Sequence, residues 1–317
     1  MRLCRFQHDG EIHDGFYAGD QVISFASANT AYHKHMGSEI LLPHQETLLA
    51  YLPPDGRARS IAQQLQDWVE SEDCPAHVAT PVDQVKLLVP IPRPNKLLLL
   101  AGNYADHVAE TGDIGREQEE TFPYVFMKPP STTLTHPGDA IRLPKISNTH
   151  IDWELELAVV IGREARGISE ADALSIVAGY TIVNDISNRK FRPNPNRKER
   201  PKDKFFDWLH GKWFDGFCPC GPCVVSAEAI PDPQALELRL TVNGETQQEA
   251  SASQQVFSVA QVISFASSIL TLEPGDIIST GTPAGVGLGK NVFLGPGDEM
   301  QASIEGIGTL VTPVVAE

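Results

Sequence analysis

The chain has 317 residues, of which 41% are hydrophobic and 21% charged, and its formal net charge is −16. This composition is typical of a globular protein with one large and one small domain, and the charge argues against a nucleic-acid partner. No stretch approaches the roughly 20 apolar residues of a membrane helix, and residues 1–5 lead into polar residues rather than a signal-peptide core. The five cysteines, an odd number, favour reduced thiols. We therefore predict a cytoplasmic protein without membrane contact.

The N-terminal part predicts a small α+β domain. Short apolar runs separated by Asp-Gly and Gly-Asp pairs predict a β-meander over residues 1–27. Helical spacing follows over 43–52 and 58–70, and the proline-containing segment 71–85 predicts a linker. We place the boundary near residue 84, which divides the chain into two predicted domains, 1–84 and 85–317.

The second domain is predicted to be mainly β with some α. Buried strands are expected over the apolar runs 85–91, 96–102, 124–130, 176–183, 236–242, 277–280 and 302–304. Asn243-Gly244 predicts a hairpin turn. Residues 259–270 have helical spacing, and a short helix is expected over 103–110, ending near Gly112. The 24 prolines and 25 glycines agree with a strand-rich and loop-rich fold.

The most informative stretch is the acidic alternation of residues 152–157, which continues into an apolar run. Side chains two apart on a strand share a face, so Asp152, Glu154 and Glu156 are expected on one face. Neighbouring carboxylates on a largely buried strand repel one another and lose hydration. A hard divalent cation would compensate, because it prefers carboxylate oxygen. A solvated acidic face on an edge strand is the alternative.

Three further features are candidates for a site, each with a simpler alternative. Asp185 ends an apolar strand, four residues before Arg189, and is either a pocket residue or a turn aspartate. His107 and Glu110 would be neighbours on a helix, as a base with its orienting partner or as a surface pair. Lys212 follows a glycine and is either a site residue or solvated.

Three other segments have patterns of their own. Residues 280–287 are glycine-rich but lack the ending of a phosphate loop, so they predict a tight loop with backbone N–H and hydroxyl donors. Cys218, Cys220 and Cys223 lack a nearby fourth zinc ligand and favour a buried strand and turn. Residues 188–212 are basic and broken by prolines, which predicts a long loop.

Seven short motifs follow one another along the second domain. They are GNYADH at 102–107 with Glu110, FMKP at 126–129, WELEL at 153–157, GYTIVND at 179–185 with Arg189, GK at 211–212, FCP at 217–219 with Gly221-Pro222, and TGTPAGVG at 280–287. In this order they resemble the fumarylacetoacetate hydrolase (FAH) family over roughly the whole second domain. Residues 1–84 resemble the small N-terminal domain that some members carry.

The resemblance implies a fold, a metal and a set of site residues. The fold is a mixed β-sandwich roll that pairs as a homodimer. Mg²⁺ or Mn²⁺, or else Ca²⁺, is expected on Glu154, Glu156 and Asp185, with Asp152 as a neighbour of these ligands or a solvated residue. The expected catalytic residues are His107 and Glu110, an acid/base dyad on a short helix, and Lys212. The residues expected at the substrate are Tyr104, Lys128, Arg189, Arg192 and Thr282.

The chain departs from the family pattern at three places near the expected substrate. Members often have Gln seven residues after the metal-binding Asp, where this chain has Arg192. Many have Ser after the pocket lysine, where this chain has Trp213. The basic segment 193–207 is longer than in compact members. These differences bear on substrate identity more than on the metal.

The expected function is hydrolytic cleavage of a carbon–carbon bond in a β-dicarbonyl 2-oxo acid, an acylpyruvate-like anion, through an enolate whose charge the metal stabilises. Glu110 would orient His107, and His107 would deprotonate the attacking water. Arg189 and Lys212 would offset the substrate's charge. The same site could decarboxylate oxaloacetate, or isomerise or hydrate a 2-hydroxydienoate. A non-catalytic protein that binds metal or ligand is the alternative from a different class.

Overall fold

Strands dominate the computed structural model, which describes residues 1–38, 40–42, 47–110 and 121–317. The strands are β1 (Arg2–His8), β2 (Glu11–Tyr17), β3 (Gln21–Ser24), β4 (Thr80–Pro81), β5 (Lys86–Leu88), β6 (Leu97–Ala101), β7 (Tyr124–Met127), β8 (Leu134–Thr135), β9 (Ile141–Leu143), β10 (Ile151–Asp152), β11 (Leu155–Ile161), β12 (Val177–Asn184), β13 (Ser187–Asn188), β14 (Cys218–Ser226), β15 (Glu237–Val242), β16 (Glu245–Ser251), β17 (Ile277–Ser279), β18 (Glu299–Ile304) and β19 (Gly308–Ala316).

The helices connect these strands and cover them. The α-helices are α1 (Phe25–Met36), α2 (Arg59–Val69), α3 (Ala105–Glu110), α4 (Pro130–Thr133), α5 (Glu170–Ala173), α6 (Asp203–His210), α7 (Val259–Ile269) and α8 (Gly287–Lys290). Short 3₁₀ helices occur at Leu48–Tyr51, Ala76–Val78, Val82–Gln84, Leu174–Ile176, Ala227–Ala229, Pro233–Ala235 and Ala252–Gln254. The prediction of a mainly β fold with some α is confirmed.

The largest sheet joins the N-terminal strands to the strand that carries the acidic stretch. Its strand order is β4-β3-β2-β1-β14-β12-β11-β17-β6-β7, with β5 paired to β1 and β8 paired to β14. A five-stranded sheet has the order β16-β15-β18-β19-β9, and β10 pairs with β13 alone. Strand β11 therefore lies well inside the large sheet, between β12 and β17.

Strand β11 is buried on both faces. Leu157 and Val159 belong to a core shared with residues of the five-stranded sheet, such as Leu240. Ala158 and Val160 belong to a second core that includes residues of α1 and α2. The two-residue period of a strand sets Glu156 on the face of Ala158 and Val160. The acidic side chains thus enter a buried layer, which removes the solvated edge strand as an explanation.

The N-terminal predictions agree largely with the structure. Strands β1, β2 and β3 form the predicted antiparallel meander, and α2 falls within the predicted helix at 58–70. Of the predicted helix at 43–52, residues 43–46 lie outside the described part, and the remainder contains the 3₁₀ helix Leu48–Tyr51. Helix α1 was not predicted. Strand β1 pairs with β14 through Leu3 and Val224, and the domain boundary near residue 84 stays a prediction.

The predicted long loop over 188–212 is wrong for its last part, because α6 begins at Asp203. The last proline of this segment is Pro201. After it, Asp203 lies in the first turn of α6 and His210 in the last turn, an arrangement of charges that favours a helix. Arg197 Nε donates to Asp203 at 2.9 Å and joins the segment before the helix to its first turn. The predicted end of the short helix near Gly112 lies outside the described residues. Among the described helices, none has both the length and the hydropathy to cross a membrane.

Candidate active site

Three carboxylates from neighbouring elements converge at the start of β11. Glu154 precedes the strand, Glu156 lies on it, and Asp185 follows the adjacent strand β12. One oxygen of each lies within 4.8 Å of the others, and all three residues are buried. The antiparallel pairing of Leu155 with Asn184 brings them together, and Asp185 N donates to Glu154 O at 2.8 Å. Oxygen-only donors at this spacing fit a hard divalent cation, so the residues predicted as metal ligands could hold one.

Buried cations surround the same carboxylates. Lys212 Nζ donates to Glu154 Oε2 at 2.9 Å, to Asp185 Oδ2 at 2.6 Å and to Ser187 Oγ at 2.8 Å. Arg189 Nη1 lies 2.6 Å from Glu154 Oε1. Lysine and arginine are almost never fully buried unless paired, and here both are paired with acids of the site. Arg189 and Lys212 therefore lie beside the three carboxylates, and their roles toward a substrate stay predictions.

The charges give the carboxyl groups different affinities for protons. Burial alone would raise the pKa of Glu154, but Lys212 and Arg189 outweigh it and lower that pKa. Burial, with Asp185 and Glu154 as negative neighbours, raises the pKa of Glu156 well above its usual value. Burial alone would lower the pKa of Lys212, yet the adjacent Asp185 and Glu154 raise it. Lys212 is therefore a fixed positive charge rather than a base.

His107 and Glu110 lie together on α3, as predicted. His107 Nδ1 is 3.7 Å from Glu110 Oε2. Gly285 N donates to Glu110 Oε2 at 3.0 Å and to Oε1 at 3.2 Å. Burial alone would raise the pKa of Glu110, but the adjacent His107 and the hydrogen bonds from Gly285 N lower it. A histidine oriented by an ionised carboxylate is suited to general acid/base work, and His107 also helps lower the pKa of Glu154.

The glycine-rich loop lies alongside the acidic stretch. Thr280 N donates to Leu157 O at 2.9 Å, and Gly281 N donates to Glu156 Oε2 at 3.0 Å. Gln248 Nε2 donates to Thr282 Oγ1 at 2.8 Å, and Leu155 N donates to Gln248 Oε1 at 3.0 Å. The loop supplies the N–H donors predicted from its sequence. These donors hold site carboxylates in place and do not form a phosphate cradle.

Asp152 is buried and holds the far end of this loop. Its carboxylate accepts from Gly287 N at 2.6 Å and Leu288 N at 3.0 Å, and from Arg189 Nε at 2.7 Å. The neighbouring indole, Trp153 Nε1, donates to Gly285 O at 3.1 Å. Of the two expectations for Asp152, the solvated one is wrong, because no part of the residue is exposed.

The residues predicted at the substrate have different surroundings. Lys128 is buried, and its Nζ donates to Asp185 Oδ1 at 2.6 Å, Ile186 O at 3.0 Å and Phe217 O at 2.5 Å. Arg192 Nη2 instead pairs with Glu199 at 3.0 Å, and both side chains are largely exposed. The other two predicted residues are buried, Tyr104 with a pKa raised by burial, and Thr282 beside Gln248.

Several residues of the site were not predicted. Ser279 Oγ donates to Glu156 Oε2 at 2.5 Å, Ser187 accepts from Lys212, and Gln248 and Trp153 join the acidic stretch to the glycine loop. Ser279 ends an apolar strand, a position that could have suggested it. Ser187 and Gln248 have no local signal, because their partners are distant in sequence, and Trp153 belongs to the WELEL motif but had no role predicted for it.

The three neighbouring cysteines lie on β14 and are buried. Burial raises the pKa of Cys220 and of Cys223 to about 12. Within the described residues, the group of side chains placed to hold a metal is the acidic one and includes no cysteine. The predicted buried strand is confirmed, and the cysteines belong to the core.

A protein-family profile matches most of the chain. The profile described as "Fumarylacetoacetate (FAA) hydrolase C-terminal" matches residues 96–315. This chain belongs to the FAH family. Among curated relatives, Oxaloacetate tautomerase Fahd2a, mitochondrial, from Rattus norvegicus is 36% identical over 99% of this chain and 92% of its own length. The 2,4-didehydro-3-deoxy-L-rhamnonate hydrolase of Sphingomonas sp. (strain SKA58) is 43% identical over 70% of this chain and 73% of its own.

The fold is also that of FAH-family structures. The fumarylacetoacetate hydrolase from psychrophilic Exiguobacterium antarcticum has a TM-score of 0.73 and 30% identity, with 100% of both chains covered. The predicted family and its fold are confirmed. The chain is thus a member of an enzyme family whose relatives include a hydrolase and an oxaloacetate tautomerase.

Proposed function

We propose that this FAH-family protein is a metal-dependent hydrolase that cleaves a carbon–carbon bond in a β-dicarbonyl 2-oxo acid through its enolate. The supporting observation is that the three buried carboxylates lie beside Arg189, whose guanidinium includes an N–H donor without a partner among the described residues. Among the described residues, Arg189 Nη2 is buried and has no hydrogen-bond partner. Such a donor is costly to leave unsatisfied, so an anionic oxygen of a substrate is its expected partner.

Glu154, Glu156 and Asp185 would hold Mg²⁺ or Mn²⁺, with Ca²⁺ as the third candidate. When bound, the metal would supply Lewis-acid stabilisation of the charge on a 2-oxo acid's oxygen atoms. The fit of the residues supports this proposal, because the donors are oxygen atoms only and are buried within 4.8 Å of one another.

The protein's own residues account for the remaining steps. Arg189 and Lys212 are fixed cations beside the carboxylates, so they would hold an anionic substrate and offset the charge that develops on its enolate. Glu110 orients His107, which would take a proton from a water molecule. The water oxygen would then add to the distal carbonyl carbon, and the carbon–carbon bond would break towards the enolate. Proton return to the enolate carbon gives the second product.

Oxaloacetate tautomerisation is a second candidate, favoured by the rat relative that aligns over 99% of this chain. It uses the same enolate but needs only proton transfer and no attacking water. The decarboxylase and the 2-hydroxydienoate isomerase or hydratase remain alternatives on the same site. The homodimer and the cytoplasmic location stay predictions.

The proposal is tested by turnover of chelated and reloaded protein on acylpyruvates and on oxaloacetate. We expect loss of activity with chelator and recovery with Mg²⁺ or Mn²⁺. Full activity without metal would contradict it. Oxalate, which resembles the enolate, should bind the Mg²⁺-loaded protein in a titration calorimeter and bind Glu154→Ala much more weakly. His107→Ala should abolish hydrolysis of an acylpyruvate more completely than decarboxylation of oxaloacetate, because only hydrolysis requires an activated water.

A further inference from the structure

Two adjacent residues, Asp152 and Trp153, hydrogen-bond to the loop that binds Glu110. Neither is among the proposed catalytic residues. Asp152 accepts hydrogen bonds from Gly287 N and Leu288 N. Trp153 Nε1 donates to Gly285 O. Both contacts join parts of the chain more than 130 residues apart, and both side-chain partners are completely buried. The loop from Gly285 to Leu288 is therefore fixed at each end by the acidic stretch.

Gly285 contacts both Trp153 and Glu110. Its carbonyl accepts a hydrogen bond from Trp153 Nε1, and its amide donates one to the Glu110 carboxylate. Gly285 N lies 3.0 Å from Glu110 Oε2. A peptide group is rigid and planar, but the N–H and C=O of one residue belong to different peptides, so the backbone of Gly285 itself must be fixed. Gly285 has a φ of +101°, and a Cβ there would overlap Gln247 O. Its backbone is thus restricted by packing, while Trp153 holds its carbonyl and Asp152 holds the amides of residues 287 and 288.

Asp152 also contacts the other half of the site. Arg189 Nε donates to Asp152 Oδ2 at 2.7 Å, while Arg189 Nη1 lies 2.6 Å from Glu154 Oε1. The carboxylate of Asp152 therefore joins Arg189, beside the three site carboxylates, to the loop that hydrogen-bonds Glu110. Its four buried hydrogen bonds, including the one from Trp153 N at 2.8 Å, use its acceptor capacity fully.

We propose that Asp152 and Trp153 are positioning residues that set the orientation of Glu110, and through it His107, by holding residues 285–288. Neither is among the residues proposed to contact the substrate or the reacting atoms. Their effect passes through Gly285 N to the Glu110 carboxylate. The inference rests on the proposed role of the His107–Glu110 dyad in catalysis.

The cleanest variant is Trp153→Phe, which removes the donor to Gly285 O and keeps an aromatic ring in the core. Losing one buried hydrogen bond should lower kcat roughly fivefold to tenfold, with KM for the substrate nearly unchanged. In a Glu110→Gln background, Trp153→Phe should not lower kcat any further, because its effect passes through Glu110. An equal loss in both backgrounds, or an unchanged kcat, would overturn the proposal.

Trp68→Phe is the matched control. Trp68 is a buried tryptophan on α2 whose Nε1 has no hydrogen-bond partner among the described residues. Its replacement changes the same ring without breaking a hydrogen bond, and kcat should stay at the level of the unaltered protein. Asp152→Asn keeps one oxygen acceptor for the loop and should retain more activity than Asp152→Ala. Equal activity of these two variants would contradict the role of the loop contacts.

A second readout does not need turnover. The hydrogen bonds of Glu110 keep its pKa below the usual range, so a carbon-13 NMR titration of its carboxyl group reports whether Gly285 N is in place. Trp153→Phe should raise the pKa of Glu110, and Trp68→Phe should not. An unchanged titration in Trp153→Phe would sink the inference even if the enzyme is active. A raised pKa in a protein that turns over none of the candidate acids would support the positioning role and refute the proposed function alone.

Discussion

Lys212 Nζ lies 2.6 Å from Asp185 Oδ2, within the group of carboxylates proposed to bind a metal. The same ammonium is 2.9 Å from Glu154 Oε2. One ammonium therefore contacts two of the three carboxylates and offsets part of their negative charge. Phe126 and Trp208 flank the ammonium, with ring centroids at 5.2 and 5.6 Å, which is within range of a cation–π attraction.

Lys212→Met should make folding depend on a divalent cation. Removing one partner of a buried ion pair costs about 3–5 kcal/mol, because like charges remain uncompensated. We expect the variant to melt at a much lower temperature than the unaltered protein in chelator and to regain more stability on addition of Mg²⁺. Differential scanning calorimetry with and without Mg²⁺ measures this.

Lys96→Met is the control for that prediction. Lys96 pairs with the buried Asp276 at 3.0 Å, away from the carboxylate group. Its loss should destabilise the protein without a gain from Mg²⁺. Equal responses of the two variants to Mg²⁺ would show that Lys212 has no special relation to the metal ligands.

Lys128→Met should destabilise the protein because Lys128 holds Asp185 in place. The ammonium is fully enclosed and donates to Asp185 Oδ1 and to two backbone carbonyls. We expect a loss of about 3–5 kcal/mol in the free energy of unfolding, measured by urea denaturation. Lys86→Met, which breaks a half-exposed pair with Asp139, should cost less than about 1 kcal/mol. A small effect at Lys128 would favour the direct substrate contact predicted from the sequence.

Gly289→Ala should impair catalysis while leaving the fold intact. Gly289 is exposed on α8, where alanine favours the helix, but its Cβ would overlap the side chain of Glu110. Displacing Glu110 from Gly285 N and His107 should lower kcat by up to roughly 100-fold, with an unchanged melting temperature. Gly295→Ala, whose Cβ would meet Asp298 only at 3.8 Å, should keep full activity. Full activity of Gly289→Ala would mean that Glu110 is free to move without loss.

Because of His136, the free energy of unfolding should decrease as the pH is lowered. Burial lowers the pKa of His136, although Asp139 opposes the shift, and its Nδ1 accepts from Val89 N at 2.9 Å. A histidine with a lowered folded-state pKa takes up its proton more readily when unfolded, so stability is present above about pH 6.5 and is lost as pH falls below it.

Denaturation by urea between pH 8 and pH 5 tests this dependence. His136→Asn keeps an oxygen acceptor for Val89 N but cannot titrate. Its stability should fall less steeply than that of the unaltered protein over this range. Identical slopes would show that His136 contributes nothing to the acid sensitivity.

Much of the fold and part of the candidate site could be predicted from local sequence patterns. The alternation predicted Asp152, Glu154 and Glu156 on one face of a strand, and the end of an apolar strand at Asp185 predicted either a pocket residue or a turn aspartate. Hydrophobic periodicity predicted most strands, since each is half or fully buried in a sheet. The family motifs then joined Glu154, Glu156 and Asp185 into one group, which the separate segments could not do alone.

Contacts between distant segments were beyond these patterns. Lys128 precedes two prolines, and such a lysine is usually solvated, so its burial under Asp185 depends on how β7 packs in the finished fold. The hydrogen bonds of Asp152 and Trp153 with the glycine-rich loop join residues more than 130 positions apart in the sequence. Helix α6 was hidden by the prolines before it, which gave the whole basic segment the composition of a loop.

The shared core of β11 and the N-terminal helices makes the two predicted domains interdependent. Ala158, Val160, Val183 and Val224 pack in one cluster with residues of α1 and α2. A fragment that begins at residue 85 would expose this apolar face, and part of β14 would become an open edge able to pair with another chain. Such a fragment is expected to aggregate, because residues of α1 and α2 cover this face of the sheet in the whole chain.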